Sequence, residues 1–111
     1  MVRIDTVVIH ATNARRAAEF WGGALGYTPR GEGSLTLVPV DGDGPAVNLD
    51  ETDQTHLDLR VSDAAEQQAE VERLIGLGAQ LADWEYPDGA NFVVLTDTEG
   101  NLFCVVNAGD G

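Results

Sequence analysis

The sequence predicts an α+β domain built from two copies of one unit. Three observations predict it. The halves align with each other: Thr6-Val7-Val8-Ile9-His10-Ala11-Thr12-Asn13 lies against His56-Leu57-Asp58-Leu59-Arg60-Val61-Ser62-Asp63, Leu25-Gly26-Tyr27 against Leu77-Gly78-Ala79, and Asp41 through Leu49 against Asp97 through Val105 without a gap. Each half opens on a strand-like segment. Each then carries one helical stripe before two or three further strands.

The elements follow in order. Ile4 to His10 is rich in β-branched residues and predicts a strand. Thr12 or Asn13 caps a helix that runs to about Ala24. Its apolar residues Ala17, Phe20, Trp21, Ala24 and Leu25 fall at helical spacing, so Phe20 and Trp21 are read as core. Gly26 stops the helix. Leu35 to Val40 is the second strand, Asp41 to Pro45 a turn, Ala46 to Asp50 the third strand, and Glu51 to Gln54 a polar linker. The pattern then restarts. In His56 to Val61, Leu57, Leu59 and Val61 share one face and His56, Asp58 and Arg60 the other. Asp63 and Glu66 form a capping-box pair. Val71, Leu74 and Ile75 give the second helix its stripe, and Gly76 and Gly78 end it. Gln80 to Tyr86, Phe92 to Thr96 and Leu102 to Asn107 are the remaining strands, joined by turns at Pro87-Asp88-Gly89 and Asp97 to Asn101.

With 111 residues, 43% of them hydrophobic, the chain is one domain's worth. No window approaches the roughly 18 apolar residues of a membrane span. Met1 to Asp5 runs straight into a strand, so no signal peptide is expected. The one cysteine, Cys104, excludes an internal disulfide and fits a reducing cytosol, so a cytoplasmic location is expected. Six arginines, no lysine and 19 acidic residues give a net charge of −13. That field disfavours nucleic acid and anionic membranes and attracts cations or basic small molecules, although acidity also serves solubility alone.

Four stretches carry a family likeness: Ala18-Glu19-Phe20-Trp21 with Ala24-Leu25-Gly26-Tyr27, His56 to Asp63, Leu77-Gly78-Ala79, and Asp97-Thr98-Glu99-Gly100-Asn101-Leu102-Phe103-Cys104. Together and in this order they resemble the vicinal-oxygen-chelate superfamily of glyoxalase I, bleomycin-resistance proteins and extradiol dioxygenases. The likeness covers nearly the whole chain and is greatest to the small glyoxalase-like branch. It implies one glyoxalase-like domain over residues 1–111, with modules of about 1–52 and 53–108. The implied fold is two βαβββ modules forming a U-shaped eight-stranded mixed sheet with helices outside, commonly as a homodimer.

Metal-dependent members of that superfamily bind a divalent ion through four side chains, from the first and last strand of each module. Carried across, those positions are Thr6, Asn48, His56 and Cys104. His56 matches the pattern. Thr6 is a poor ligand when neutral, Asn48 offers only a carbonyl oxygen, and Cys104 stands where a carboxylate is expected. His56 and Cys104 alone fall short of the three or four ligands that zinc sites use. No metal and no cofactor are therefore expected, as in the antibiotic-binding members that sequester drugs without an ion.

The alternation of strand residues lists the expected ligand wall. His56, Asp58 and Arg60 share a face, as do Thr6, Val8 and His10 by the repeat. Asn48 and Cys104 join from the closing strands, and Trp84, Tyr86 and Phe92 could supply flat apolar walls. The expected ligand-binding residues are thus His10, Asn48, His56, Asp58, Arg60, Trp84, Tyr86, Phe92 and Cys104. Each also has a plain structural reading. Asp58 and Arg60 could be a solvated ion pair, His10 a hydrogen-bonded wall residue and Cys104 a small buried hydrophobe. Trp84 and Tyr86 alternate with Glu85 on a face that could be core, pocket or dimer interface.

The first functional expectation is a metal-independent binder of a bulky apolar or cationic small molecule, such as an antibiotic. The alternative is a metal-independent isomerase or lyase, with His56 or His10 as general base and Arg60 steadying an anionic oxygen. A metal-dependent isomerase or lyase ranks last.

Overall fold

Ten elements follow one another along the computed structural model, which describes residues 1–109. The last two residues of the domain predicted over 1–111 lie outside the described residues. The elements are β1 (Arg3–His10), α1 (Ala14–Leu25), β2 (Tyr27–Pro29), β3 (Thr36–Pro39), β4 (Ala46–Asp50), β5 (His56–Val61), α2 (Ala64–Gly76), β6 (Gln80–Leu81), β7 (Phe92–Thr96) and β8 (Leu102–Asn107). The chain is α+β, and among the described residues its two helices and eight strands fall into two compact units, with the first two residues of β1 belonging to the second. The first unit is Asp5–Thr55. The second is Met1–Ile4 with the chain from His56 onward.

In the first unit the strand order is β2-β3-β4-β1. β1 and β4 run parallel, from Thr6↔Ala46 to His10↔Asp50, and β3 pairs antiparallel with both β4 and β2. The Asn13 carboxamide accepts the Arg16 N–H at 3.1 Å and caps α1. Gly26 closes the helix at φ 71°, a conformation glycine adopts without steric cost. Ala14, Leu37, Val47 and Leu49 are buried between helix and sheet, with Ala17, Ala18 and Trp21 packed against them. Phe20 departs from the sequence reading. It is 65% exposed and touches Trp21 edge-on, with ring centroids 5.2 Å apart. The buried stripe runs Ala14, Ala17, Ala18, Trp21, and at about 100° per residue Phe20 falls off it.

The second unit repeats the order as β5-β8-β7-β6. β5 and β8 are parallel; β7 pairs antiparallel with β8 and with β6. Val61, Leu95 and Val105 form its core, and Val71 and Leu74 of α2 pack against them. The expected capping box is present in altered form. Asp63 accepts the Glu66 N–H at 2.7 Å, while the Glu66 carboxylate reaches the N–H of Ser62 at 2.7 Å.

The strand expected over 80–86 is confined to β6, Gln80–Leu81. Ala82 still donates to the Val94 carbonyl, but the Val94 N–H is taken by the Tyr86 phenol oxygen at 2.9 Å. A side chain thus replaces the backbone ladder there, and the parity argument that put Trp84 and Tyr86 on one strand face no longer holds.

Glu70 of α2 is the one buried charged side chain among the described residues. Its carboxylate takes Arg73 Nε at 2.7 Å and the Val2 N–H at 2.7 Å, and the Met1 ammonium lies 3.3 Å away. The Arg73 hydrogen bond first, then those from the ammonium and Val2, hold the Glu70 pKa down, from 4.5 to about 2. Because folding lowers this pKa, its contribution is present above pH 4.5 and is lost as the pH falls through about 2. Urea unfolding followed from pH 6 to pH 2 should show wild type losing stability across that window. Glu70→Gln should start lower at pH 6 and lose less. Equal losses would show that Glu70 is not the linked group.

Candidate functional site

Alternation along β5, β7 and β8 sorts the strands of the second unit into two faces. Val61, Val93, Leu95, Phe103 and Val105 lie on the face that meets α2. His56, Asp58 and Arg60 of β5, Cys104 of β8, and Phe92 and Val94 of β7 therefore lie on the opposite face. Register brings the chemistry together. Asp58 is the cross-strand partner of Cys104, and Cys104 of Val94.

His56 Nε2 lies 3.3 Å from Asp58 Oδ1, with the two side chains 12% and 27% exposed. One ligand atom from each of His56, Asp58 and Cys104 lies within 4.8 Å of the other two. All three residues are half-buried, so they are shielded yet reachable. Arg60, on the same face, is exposed.

The β7–β8 turn holds this register. The Asp97 carboxylate accepts N–H groups from Glu99 (2.8 Å) and Asn101 (2.9 Å) and the Asn101 carboxamide (2.9 Å). The Asn101 side chain first, then these backbone N–H groups, holds the Asp97 pKa below the ordinary carboxylate value.

An apolar region lies farther along β7, and none of His56, Asp58 and Cys104 lines it. Tyr86 and Phe92 rings stack at a tilt, with centroids 5.5 Å apart. Together with Leu81, Pro87 and Ala90 they line part of a hollow of about 490 Å³. Phe92 is two residues from Val94, roughly 7 Å along the strand. Trp84 is 45% exposed in the irregular segment before Tyr86.

The expected residues of the first unit are each hydrogen-bonded to a different neighbour. Asn48 Nδ2 donates to Thr36 Oγ1 at 2.9 Å, and Thr6 Oγ1 donates to Asp5 Oδ2 at 3.1 Å. His10 is exposed; its Nδ1 lies 2.9 Å from the Asp53 carbonyl, so that nitrogen carries the proton. Thr6 and Asn48 thus form no metal-binding pair, and the four-position set taken from the superfamily does not fit this chain. The second unit differs. There Asp58, read from sequence as a wall residue, stands with His56 and Cys104 as a third donor. Its identity on the His56 face was legible; its meeting with Cys104 depends on the β5–β8 register, which the sequence does not spell out.

Comparison with known proteins gives the same picture of the fold. The family described as "Glyoxalase-like domain" matches residues 6–106. No curated protein matches the sequence significantly. Among solved structures, the chain is similar to a Legionella pneumophila protein described as an NAD-dependent benzaldehyde dehydrogenase, at 13% identity and TM-score 0.64, over 92% of this chain and 96% of that one. It is similar to a glyoxalase/bleomycin resistance protein/dioxygenase superfamily member from Vibrio splendidus, at 14% identity and TM-score 0.57, over 96% and 98% of the two chains. It is also similar to methylmalonyl-CoA epimerase from Mycobacterium tuberculosis, at 21% identity and TM-score 0.55, over 94% and 86%. At such identities the likeness is one of fold.

Proposed function

Since the chain belongs to the glyoxalase-like domain family of the vicinal-oxygen-chelate superfamily, we propose that it is a small-molecule-binding protein of the bleomycin-resistance type, sequestering an antibiotic or another bulky natural product. One observation carries the reading. A half-buried imidazole, carboxylate and thiol share a sheet face with Val94 and Phe92, and Phe92 also lines a hollow with Tyr86. Binding sites of this sort combine an apolar body with a few placed polar groups. The carboxylate of Asp58 suits a ligand with a cationic group, and the net charge of −13 favours its approach. Binding of this kind does not call on the superfamily's four-ligand metal centre.

A second reading rests on the 3.3 Å approach of Asp58 to His56. A carboxylate that orients an imidazole is the arrangement of a general base, so the same face could move a proton on a small substrate. Tryptophan fluorescence titrated with aromatic natural products, bleomycin among them, separates these readings. The work is done in excess EDTA. Saturable quenching is expected, and it should vanish in Trp84→Phe, which leaves only Trp21. Asp58→Asn should weaken a cationic ligand about tenfold, the loss of one charge-assisted contact. Ligand recovered unchanged supports sequestration, and a converted product supports the enzyme. No quenching by any cationic aromatic compound would overturn the binding reading.

A further inference from the structure

We propose that His56, Asp58 and Cys104 bind a divalent transition-metal ion, zinc by preference, as a three-ligand site contained within the second unit. The inference goes beyond the ligand reading and does not depend on it, since an organic molecule could occupy the same face with or without an ion.

The geometry carries most of the argument. Zn–N and Zn–O bonds of about 2.0–2.1 Å around a tetrahedral ion set a ligand–ligand edge of roughly 3.4 Å. His56 Nε2 and Asp58 Oδ1 already stand at 3.3 Å. A Zn–S bond of about 2.3 Å sets the thiolate edges at roughly 3.5–3.6 Å. The three donor atoms lie within 4.8 Å of one another. Closing the remaining gap takes an adjustment of about 1 Å, which rotation about side-chain bonds provides. The backbone supports the arrangement. Two donors sit at i and i+2 on β5, and the third is the cross-strand partner of the second. All three project from hydrogen-bonded strands rather than from loops.

The donor set selects the ion. A thiolate, an imidazole and one carboxylate are a borderline-soft combination. It suits zinc and related transition metals and offers too few oxygens for calcium or magnesium. Three protein ligands leave one tetrahedral position for water or a ligand atom, the composition of an open rather than a structural zinc site. The environment favours a cation as well. The chain has no lysine and a net charge of −13, so cations concentrate at its surface. The departure from the superfamily pattern is specific. Thr6 and Asn48 are hydrogen-bonded inside the first unit, and Asp58 supplies the donor that they do not.

The test uses the full-length protein, reduced, dialysed against EDTA and freed of it, then titrated anaerobically with cobalt(II). One equivalent should produce visible ligand-field bands of a tetrahedral ion and a near-ultraviolet thiolate-to-cobalt band, and zinc should displace both. Cys104→Ser should abolish the thiolate band. Asp58→Asn should weaken binding by about 100-fold or more, since even outer groups around metal ligands cost 10–100-fold. Thr6→Ala and Asn48→Ala should leave the titration unchanged, and excess magnesium should not compete. Far-ultraviolet circular dichroism confirms that each variant is folded. The proposal is overturned by the absence of a saturable spectrum, by a thiolate band that survives Cys104→Ser, or by loss of binding in folded Thr6→Ala or Asn48→Ala. Because the fluorescence titration is run in EDTA, a failure here leaves that result standing, and the reverse holds too.

Discussion

Truncating Leu95 to alanine is expected to destabilise the protein by about 2–5 kcal/mol, the range for leucine removed from a close-packed core. Leu95 is 0% exposed and clusters with Val61 and Val105, with Val71 and Leu74 of α2 packed against the three. The loss combines the missing transfer free energy with the cavity left in that cluster. A domain of this size has about 5–15 kcal/mol to lose, so the effect is a large fraction of the whole. Urea unfolding should show a lower midpoint at an unchanged slope. Leu81→Ala is the control. It is the cross-strand partner of Leu95 but is 61% exposed, and its effect should stay within about 0.5 kcal/mol. Equal losses at the two positions would contradict the packing described for the second unit.

Gly78→Ala should cost about 1–3 kcal/mol, the scale of a residue forced into a sparsely populated backbone conformation. Gly78 has φ +119°, and a Cβ there would stand 2.9 Å from Thr98 Cγ2. The two causes can be separated. Thr98→Ser removes the methyl group and relieves the contact, while the backbone conformation remains. Gly78→Ala with Thr98→Ser should therefore recover only part of the loss. Gly76→Ala gives the opposite sign. That glycine is helical, nothing stands within 4 Å of its added Cβ, and alanine should stabilise by up to about 1 kcal/mol. Thermal unfolding of the three variants decides the matter. A stabilised Gly78→Ala would show that the turn after α2 is not strained against side chains.

What could be read in the sequence was what local chemistry determines. β5, β7 and β8 begin and end where alternation places them, and α1 starts at the Asn13 cap and stops at Gly26. Short-range rules do not reach elements whose existence depends on a neighbour. β2, only Tyr27–Pro29, is held by pairing with β3, and β6 ends where Tyr86 intervenes. Phe20 misled because a bulky apolar residue beside a helical stripe looks like a member of it. At the candidate site, strand parity correctly grouped His56, Asp58 and Arg60. It could not show that Asp58 stands opposite Cys104, because the β5–β8 register joins residues 46 positions apart. A count of two donors from sequence became three only through that long-range pairing.

The Tyr86 phenol on the Val94 N–H has a consequence for how copies of this chain behave towards one another. The segment Phe92–Thr96 reads FVVLT, β-prone and uncharged. Such a strand with an open edge is a template on which an identical strand can dock and propagate into a fibre. A backbone neighbour would have repeated the ladder and passed the exposed edge outward. A phenol oxygen occupies the donor but offers no continuing row of amides, so the pattern stops there. Tyr86 works in this sense as a stopper at the growing end of a potential polymer, set where the shortened β6 would otherwise leave the edge uncovered.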